Sequence, residues 1–291
     1  MLLITGATGH LGSATLDFLL QKLPATELAA LVRDEAKAAD LKAKGVDVRV
    51  GDYHQPDSLT RAFQGVDQLL LISTSDMQDR FQQQRNVIDA AKAAGVRHVY
   101  YTGADVTDRP GAPISPIMEP HRATGQYIKD SGLTYTLLHD NLYTDVLPDF
   151  VGKQAVETGV FYPAGQGKVP FATRRDMAEA IAHVLTSGGH ENKTYPLAGP
   201  QSYSFADVAA ALSELAGKPV AYTDVPPAQF GEQLGQAGVP APFVGFILAF
   251  ADAITHGDFD RPSPVLAQLL GREPTPLKEY LREAYFPAQT A

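Results

Sequence analysis

The first dozen residues place an apolar run, Leu2-Leu3-Ile4, directly in front of three glycines at positions 6, 9 and 12. Few short patterns constrain a fold as strongly. After a buried strand, Gly6 lets the chain turn sharply, Gly9 lets backbone approach a ligand with no Cβ between them, and Gly12 lets the next helix pack close on the sheet. The free N–H groups that open that helix then face an anion, here the diphosphate of a dinucleotide. Gly6, Thr8, Gly9, His10, Leu11 and Gly12 are therefore the expected phosphate-contacting loop.

Periodicity fills in the surroundings. Apolar runs predict strands at residues 2–5, 28–32, 46–50, 68–73, 98–102 and 135–138, and helical patterns predict helices at 13–22, 34–44, 56–63 and 81–94 and a turn or helix at 119–130. Strand alternating with helix implies a doubly wound parallel sheet covered on both faces, the Rossmann type of α/β fold. Gly45, Gly65, Gly95 and Gly132 each follow a helical run, where a left-handed cap is wanted. Beyond residue 150, prolines and glycines interrupt the alternation, as in Val225-Pro226-Pro227 and Gly238-Val239-Pro240-Ala241-Pro242. Helices at 175–185 and 205–216, the latter capped by Ser204, and a strand at 194–198 remain legible there. The expected organisation is a dinucleotide-binding Rossmann domain over 1–150 and a smaller α+β C-terminal lobe over 151–291. That lobe lies mainly on the substrate side, with some segments returning to the sheet. Phe171, Phe230, Phe243 and Phe246 are expected to fill its core.

Composition excludes several classes. The 291 residues carry a formal charge of -9, which repels a phosphate backbone and argues against nucleic acid as a partner. There are no cysteines, so no disulfide, thiolate metal site or cysteine nucleophile exists. The eight histidines include no pair at helical metal-site spacing, and no metal is expected. The longest later apolar stretch, 244–251, is far short of the roughly 20 residues of a membrane span. With no leader pattern at the start, the expected location is the cytoplasm.

Cofactor choice rests on the second strand's end. A chain that binds NAD(H) places an acid there, about 20 residues past the glycines, for the ribose hydroxyls. This chain has Arg33 followed by Asp34. Arg33 suits a 2'-phosphate and makes NADP(H) the preferred cofactor. Asp34 can cap the next helix or take the acid's role one position late, which keeps NAD(H) as the alternative. Ligands lie beyond the carboxyl ends of parallel strands. Asp52 is therefore expected near the adenine, Ser73, Thr74 and Ser75 near the nicotinamide ribose, and Thr102 and Gly103 beside the nicotinamide.

The runs Ile4 to Gly12, Ala30-Leu31-Val32-Arg33, Gly51-Asp52-Tyr53, Leu69 to Ser73, Arg85 to Val96 and Ser131 to Leu138 resemble the NmrA-like branch of the atypical short-chain dehydrogenase/reductases. Within it the chain is most similar to the NAD(P)H:quinone oxidoreductase and triphenylmethane reductase type. The resemblance spans nearly the whole chain and implies NADP(H) and hydride delivery to a quinone-like or other conjugated small-molecule acceptor. It allows a monomer or a homodimer. Departures from the pattern deplete the proton-handling groups. No tyrosine has a lysine four residues on, Gln126 stands where relatives carry a lysine, Gly103 where they tend to carry serine, His139-Asp140 where they carry Arg-Asn or Arg-Pro, and Val146 where the quinone-reductase type carries asparagine. Tyr143 and His121 are the remaining candidate catalytic donors. The same depletion supports an alternative, a non-enzymatic NADP(H) sensor acting through a protein partner. A nucleotide-sugar epimerase would need the missing Tyr and Lys pair.

Overall fold

A computed structural model describes residues 1–74 and 76–287. Its strands begin with β1 (Leu2–Ile4), β2 (Leu28–Val32), β3 (Asp47–Val50), β4 (Gln68–Ile72), β5 (His98–Ala104) and β6 (Thr134–Asp140). With Lys193–Leu197 they form a seven-stranded sheet in the order β3-β2-β1-β4-β5-β6 and then Lys193–Leu197. β1 pairs in parallel with both β2 and β4, so Leu3 sits opposite Ala29 on one side and Leu69 on the other. The strand order reverses between β1 and β4, which opens the crevice where this architecture takes ligands. β1 and β2 are buried along their whole length, as strands covered on both faces must be.

The helices joining these strands are α1 (His10–Leu19), α2 (Ala39–Ala43), α3 (Pro56–Ala62), α4 (Arg80–Ala93) and α5 (Ser115–Asp130). α1 packs against the helix Arg174–Leu185. On the α4 side, a core of Leu3, Leu69, Leu71, Val87, Ala91, Tyr101, Ile128 and Leu137 forms. The four glycines expected after helices adopt φ between 71° and 83°.

Three boundaries differ from the sequence reading. α1 starts at His10, three residues before position 13, because its first turn has no capping side chain and reads as loop. The helix expected at 34–44 breaks into a 3-10 turn, Glu35–Ala38, and the short α2. There the Asp34 carboxylate accepts from the Ala36 N–H at 3.0 Å and caps the 3-10 turn, the capping role its position before the helix allowed, while the break itself falls later, at Ala38. α5 starts at Ser115 and runs through Pro120, since one proline near a helix start removes one hydrogen bond only.

The chain forms two compact units: Met1–Ala104, Ile117–Asp140 and Arg174–Pro196 make the first, and Asp105–Pro116, Asn141–Thr173 and the chain from Leu197 onward make the second. The sequence divide at 150 falls inside the second unit. Within that unit two short ribbons form, Lys168–Val169 with Tyr203–Ser204 and Val160–Phe161 with Tyr222–Thr223. The buried Tyr162 stacks between Phe150 at 5.2 Å and Phe205 at 4.4 Å. Phe171 and Phe230 join this core, Phe246 is half-buried, and Phe243 is 62% exposed. Phe243 lies in the first turn of Ala241–Thr255, on a face that the second unit leaves open. Ser204 caps Phe205–Ala216 in a reciprocal box with Asp207, as its position before the helix suggested. Among the described residues, no helix is long and apolar enough to cross a membrane.

Arg109 ties this second unit together by pairing with Asp252 and, at 2.9 Å, with Asp258, whose side chain is only 4% exposed. Arg109→Met strands that buried carboxylate. The cost is about 2 kcal/mol, between the values for exposed and buried pairs because Arg109 is itself partly exposed. Urea unfolding midpoints of the two proteins check this.

Candidate functional site

The glycine loop is built by contact between backbones. A Cβ on Gly12 would lie 2.2 Å from the Gly6 carbonyl oxygen and 2.8 Å from its carbon, so the first turn of α1 can sit on the end of β1 only if residue 12 has no side chain. Gly6 holds φ of +59°, and its carbonyl accepts from the Gly9 N–H at 2.9 Å. Gly9 is the helix N-cap with φ of -82°, so its need for glycine is one of space rather than backbone angle. No side chain caps α1 and its first turn holds no acid. The helix therefore presents its N-terminal partial charge without internal compensation. Thr8 and His10 are exposed beside it, while Leu11 is buried as an anchor.

At the ends of the next strands the expected residues divide. Arg33 is exposed and makes no hydrogen bond or ion pair with a described residue, while Asp34 is committed to its turn. The Asp52 Oδ1 accepts from the His54 N–H at 3.0 Å, a turn-forming role that leaves its other oxygen available. Thr102 is buried and its hydroxyl accepts from the Ser73 N–H at 3.0 Å, tying β5 to the end of β4. The Ser73 hydroxyl accepts from Gln84, and the Thr74 hydroxyl accepts from the Asp76 N–H. Ser75 lies outside the described residues.

His121 sits in the second turn of α5. Its Nδ1 is 3.0 Å from the hydroxyl of Tyr101, which points up from β5 and is fully buried. Burial pushes the Tyr101 hydroxyl up to about 12, so it keeps its proton. Burial also pulls the His121 pKa down to about 3, helped by the positive fields of Arg80, His139 and Arg122. Arg80 is itself half-buried and, among the described residues, bonds to the carbonyls of Thr74 at 2.7 Å and Ile117 at 3.4 Å. With the Tyr101 hydroxyl as donor to Nδ1, the bond selects the tautomer that holds its hydrogen on Nε2. The imidazole is then neutral and carries its hydrogen on Nε2, which has no partner among the described residues. A neutral imidazole in this state can hydrogen-bond an oxygen that gains charge, without acting as a cationic acid. Neither Tyr101 nor Arg80 was singled out from the sequence.

Two departures from the relatives' pattern interlock. A Cβ on Gly103 would meet the His139 ring at 2.7 Å, so the His139 ring occupies the space a serine would need. Gln126 bonds Asp130 one turn along at 2.9 Å, so the position that relatives give to lysine serves the helix itself. Tyr143 belongs to the second unit, half-buried and bridged to Ala172. His121 belongs to the first.

A parallel sheet that reverses order at β1 and β4, with a glycine cradle at its first strand-to-helix turn, defines a Rossmann-type protein. The chain belongs to the NmrA-like family, matched over residues 1–281. It is 39% identical over 282 residues to quinone oxidoreductase 2 of Escherichia coli (strain K12), covering 96% of each chain. It is 37% identical over 281 residues to the NAD(P)H azoreductase of Xenophilus azovorans, covering 94% of this chain and 92% of that one. Among solved structures, the Citrobacter sp. triphenylmethane reductase complexed with NADP(H) matches with a TM-score of 0.90 and 40% identity, covering 98% of this chain and 100% of that one. The resemblance read from the sequence is borne out.

Two measurements follow. The unfolded His121 ring takes a proton near its ordinary value of 6.5 while the folded ring resists it down to about 3. Folding stability from this group is therefore fully present above about pH 6.5 and is lost as pH falls toward 3. His121→Gln flattens that part of the curve in urea midpoints taken across the acid range. Separately, Gly103→Ser overpacks the His139 ring and destabilises by about 2 kcal/mol. In a His139→Ala background the same change costs less, and a double-mutant cycle measures the difference.

Proposed function

We propose that this protein is an NADPH-dependent oxidoreductase that delivers hydride to a quinone-like or similarly conjugated small-molecule acceptor. The observation that carries the reading is the cradle at the β1–α1 turn, where Gly12 rests on the Gly6 carbonyl and the uncapped helix faces outward. A Cβ at position 12 would collide with that carbonyl, so only glycine lets the helix end sit where its free N–H groups can meet an anion. The uncommitted Arg33 suits a 2'-phosphate, and the Citrobacter relative was solved with NADP(H). The named relatives act on a quinone, an azo compound and a triphenylmethane dye. All three are electron-poor conjugated systems that accept two electrons.

When bound, the reduced nicotinamide supplies the hydride. The chain's part is to hold it and manage charge. Gly6, Thr8, Gly9, His10, Leu11 and Gly12 would hold the diphosphate through main-chain amides, and Arg33 would pair with the 2'-phosphate. Asp52 would border the adenine, while Ser73, Thr74, Thr102 and Gly103 would border the nicotinamide riboside. His121 donates its Nε2 hydrogen bond to the acceptor oxygen as charge develops there, with Tyr101 as the positioning residue that fixes the tautomer. Tyr143 is the other candidate donor that the sequence offers. Because a reduced quinone oxyanion can take its proton from solvent, the missing lysine is not required.

The test titrates NADPH and NADH into the purified protein and follows NADPH oxidation with simple quinones. Arg33→Ala weakens NADPH binding by about 10- to 100-fold, the range for a hydrogen bond to a charged group, and leaves NADH binding nearly unchanged. Gly9→Asp abolishes binding of both by placing a carboxylate against the diphosphate. Tight NADPH binding with no turnover of any quinone would overturn the reductase reading.

A further inference from the structure

One charge near His121 has no counter-ion among the described residues. Arg80 opens α4, and its half-buried guanidinium donates from Nε to the Thr74 carbonyl at 2.7 Å and from Nη1 to the Ile117 carbonyl at 3.4 Å. A guanidinium has five N–H donors, and the rest, both on Nη2 among them, bond to no described residue. No described carboxylate pairs with it either. Asp76 is engaged by His54 and by the Gln78 N–H, and Asp79 is exposed and forms no ion pair.

The placement is unfavourable on three counts. Burial opposes the charge and pulls the guanidinium down from its ordinary value. The first position of a helix lies at the positive end of the helix's own dipole. The residue before it, Asp79, holds a left-handed φ of 49°, which residues other than glycine rarely adopt. Unfavourable choices of this kind gather at functional sites.

Position indicates what the charge serves. Thr74 lies in the loop at the end of β4, beside the point where the sheet reverses its order, and Ile117 lies one turn before His121 on α5. The positive field of Arg80 reaches both the Tyr101 hydroxyl and the His121 ring. Arg122, whose field also reaches the ring, is held by Glu119 at 2.9 Å, and a histidine such as His139 is a cation only when protonated. Arg80 is the permanent cation there that no described carboxylate answers. A buried charge wants an opposite one, and here a ligand must bring it.

The proposed reaction makes such an anion. Moving a hydride, one proton with two electrons, from reduced nicotinamide to a neutral quinone leaves NADP+ and a hydroquinone monoanion, whose second proton comes from water. A neutral imidazole can hydrogen-bond that oxygen but brings no charge to it. We propose that Arg80 is the fixed charge that stabilises the anion formed on the acceptor. Its two carbonyl bonds hold the guanidinium in place before that charge appears, so the site need not reorganise when it does. The inference rests on the reductase reading and adds to it the residue that answers the charge the reaction creates.

The experiment uses the full chain with NADP+ bound and 4-nitrophenol, an unreactive ring whose yellow ionised form carries a phenolate oxygen like that of the hydroquinone anion. Binding is followed by colour through neutral pH, where Tyr101 and His121 both stay uncharged. The wild-type protein binds the phenolate more tightly than the phenol, and Arg80→Gln loses about tenfold of that preference, one unit in the ligand's apparent pKa. Arg80→Lys keeps the charge and retains most of it. In parallel, kcat/KM for 1,4-benzoquinone falls about 10- to 100-fold in Arg80→Gln, while NADPH binding is nearly unchanged. A wild-type protein that prefers the neutral phenol, or binds neither form, would overturn the inference whatever the variants do. So would equal preferences in the wild type and Arg80→Gln. Benzoquinone turnover that Arg80→Gln leaves intact sinks this inference alone, whereas no turnover by the wild type sinks the reductase reading with it.

Discussion

The approach of one backbone to another at the end of β1 governs the rest of this molecule. The 2.2 Å separation between a hypothetical Gly12 Cβ and the Gly6 carbonyl means that α1 and β1 meet with no side chain between them. That contact sets how α1 lies on the sheet and therefore how it meets the helix Arg174–Leu185, against which it packs. It also fixes where the uncapped helix end points. A larger residue at position 12 would alter packing and ligand binding together, so the two cannot be separated at that position. At Gly9 they can, because its φ of -82° suits any residue and its Cβ would meet only the Gly6 oxygen, at 3.2 Å.

Around His121 the charge pattern reverses what short-chain dehydrogenases ordinarily do. There a lysine lowers a tyrosine's pKa so that it can exchange a proton near neutrality. Here burial raises the Tyr101 hydroxyl and lowers the His121 imidazole, so that both stay neutral across the physiological range. A pair of this kind holds hydrogen bonds in place without supplying protons. That matches a reaction in which charge on the acceptor needs stabilising and the final proton is easily found in water.

Much of the fold was legible because its signals are local. Six strands and the helices between them are read from periodicity, and the glycine triplet announces itself by spacing. The departures at Gly103, Gln126 and His139 could also be seen one by one. Their consequences could not, because they arise between residues far apart in sequence. The Gly103 and His139 interlock needs the register of β5 against β6, and the Tyr101 and His121 pair needs the rotation of α5. The break between the turn Glu35–Ala38 and α2 carries no local mark, since alanine, glutamate, lysine and leucine dominate the run. The second half resisted reading because its core is aromatic stacking between short elements, which leaves no period to count.

The sheet's outer strand, Lys193–Leu197, comes from a segment that follows β6 by more than fifty residues of intervening chain. During synthesis the ribosome delivers β6 long before the strand that covers its edge. Until then its free N–H and C=O groups stand exposed as a template for pairing with any extended neighbour. A nascent chain of this protein is consequently most at risk of misassembly in the interval between those two strands, and holding β6 apart from other chains then is work for a chaperone.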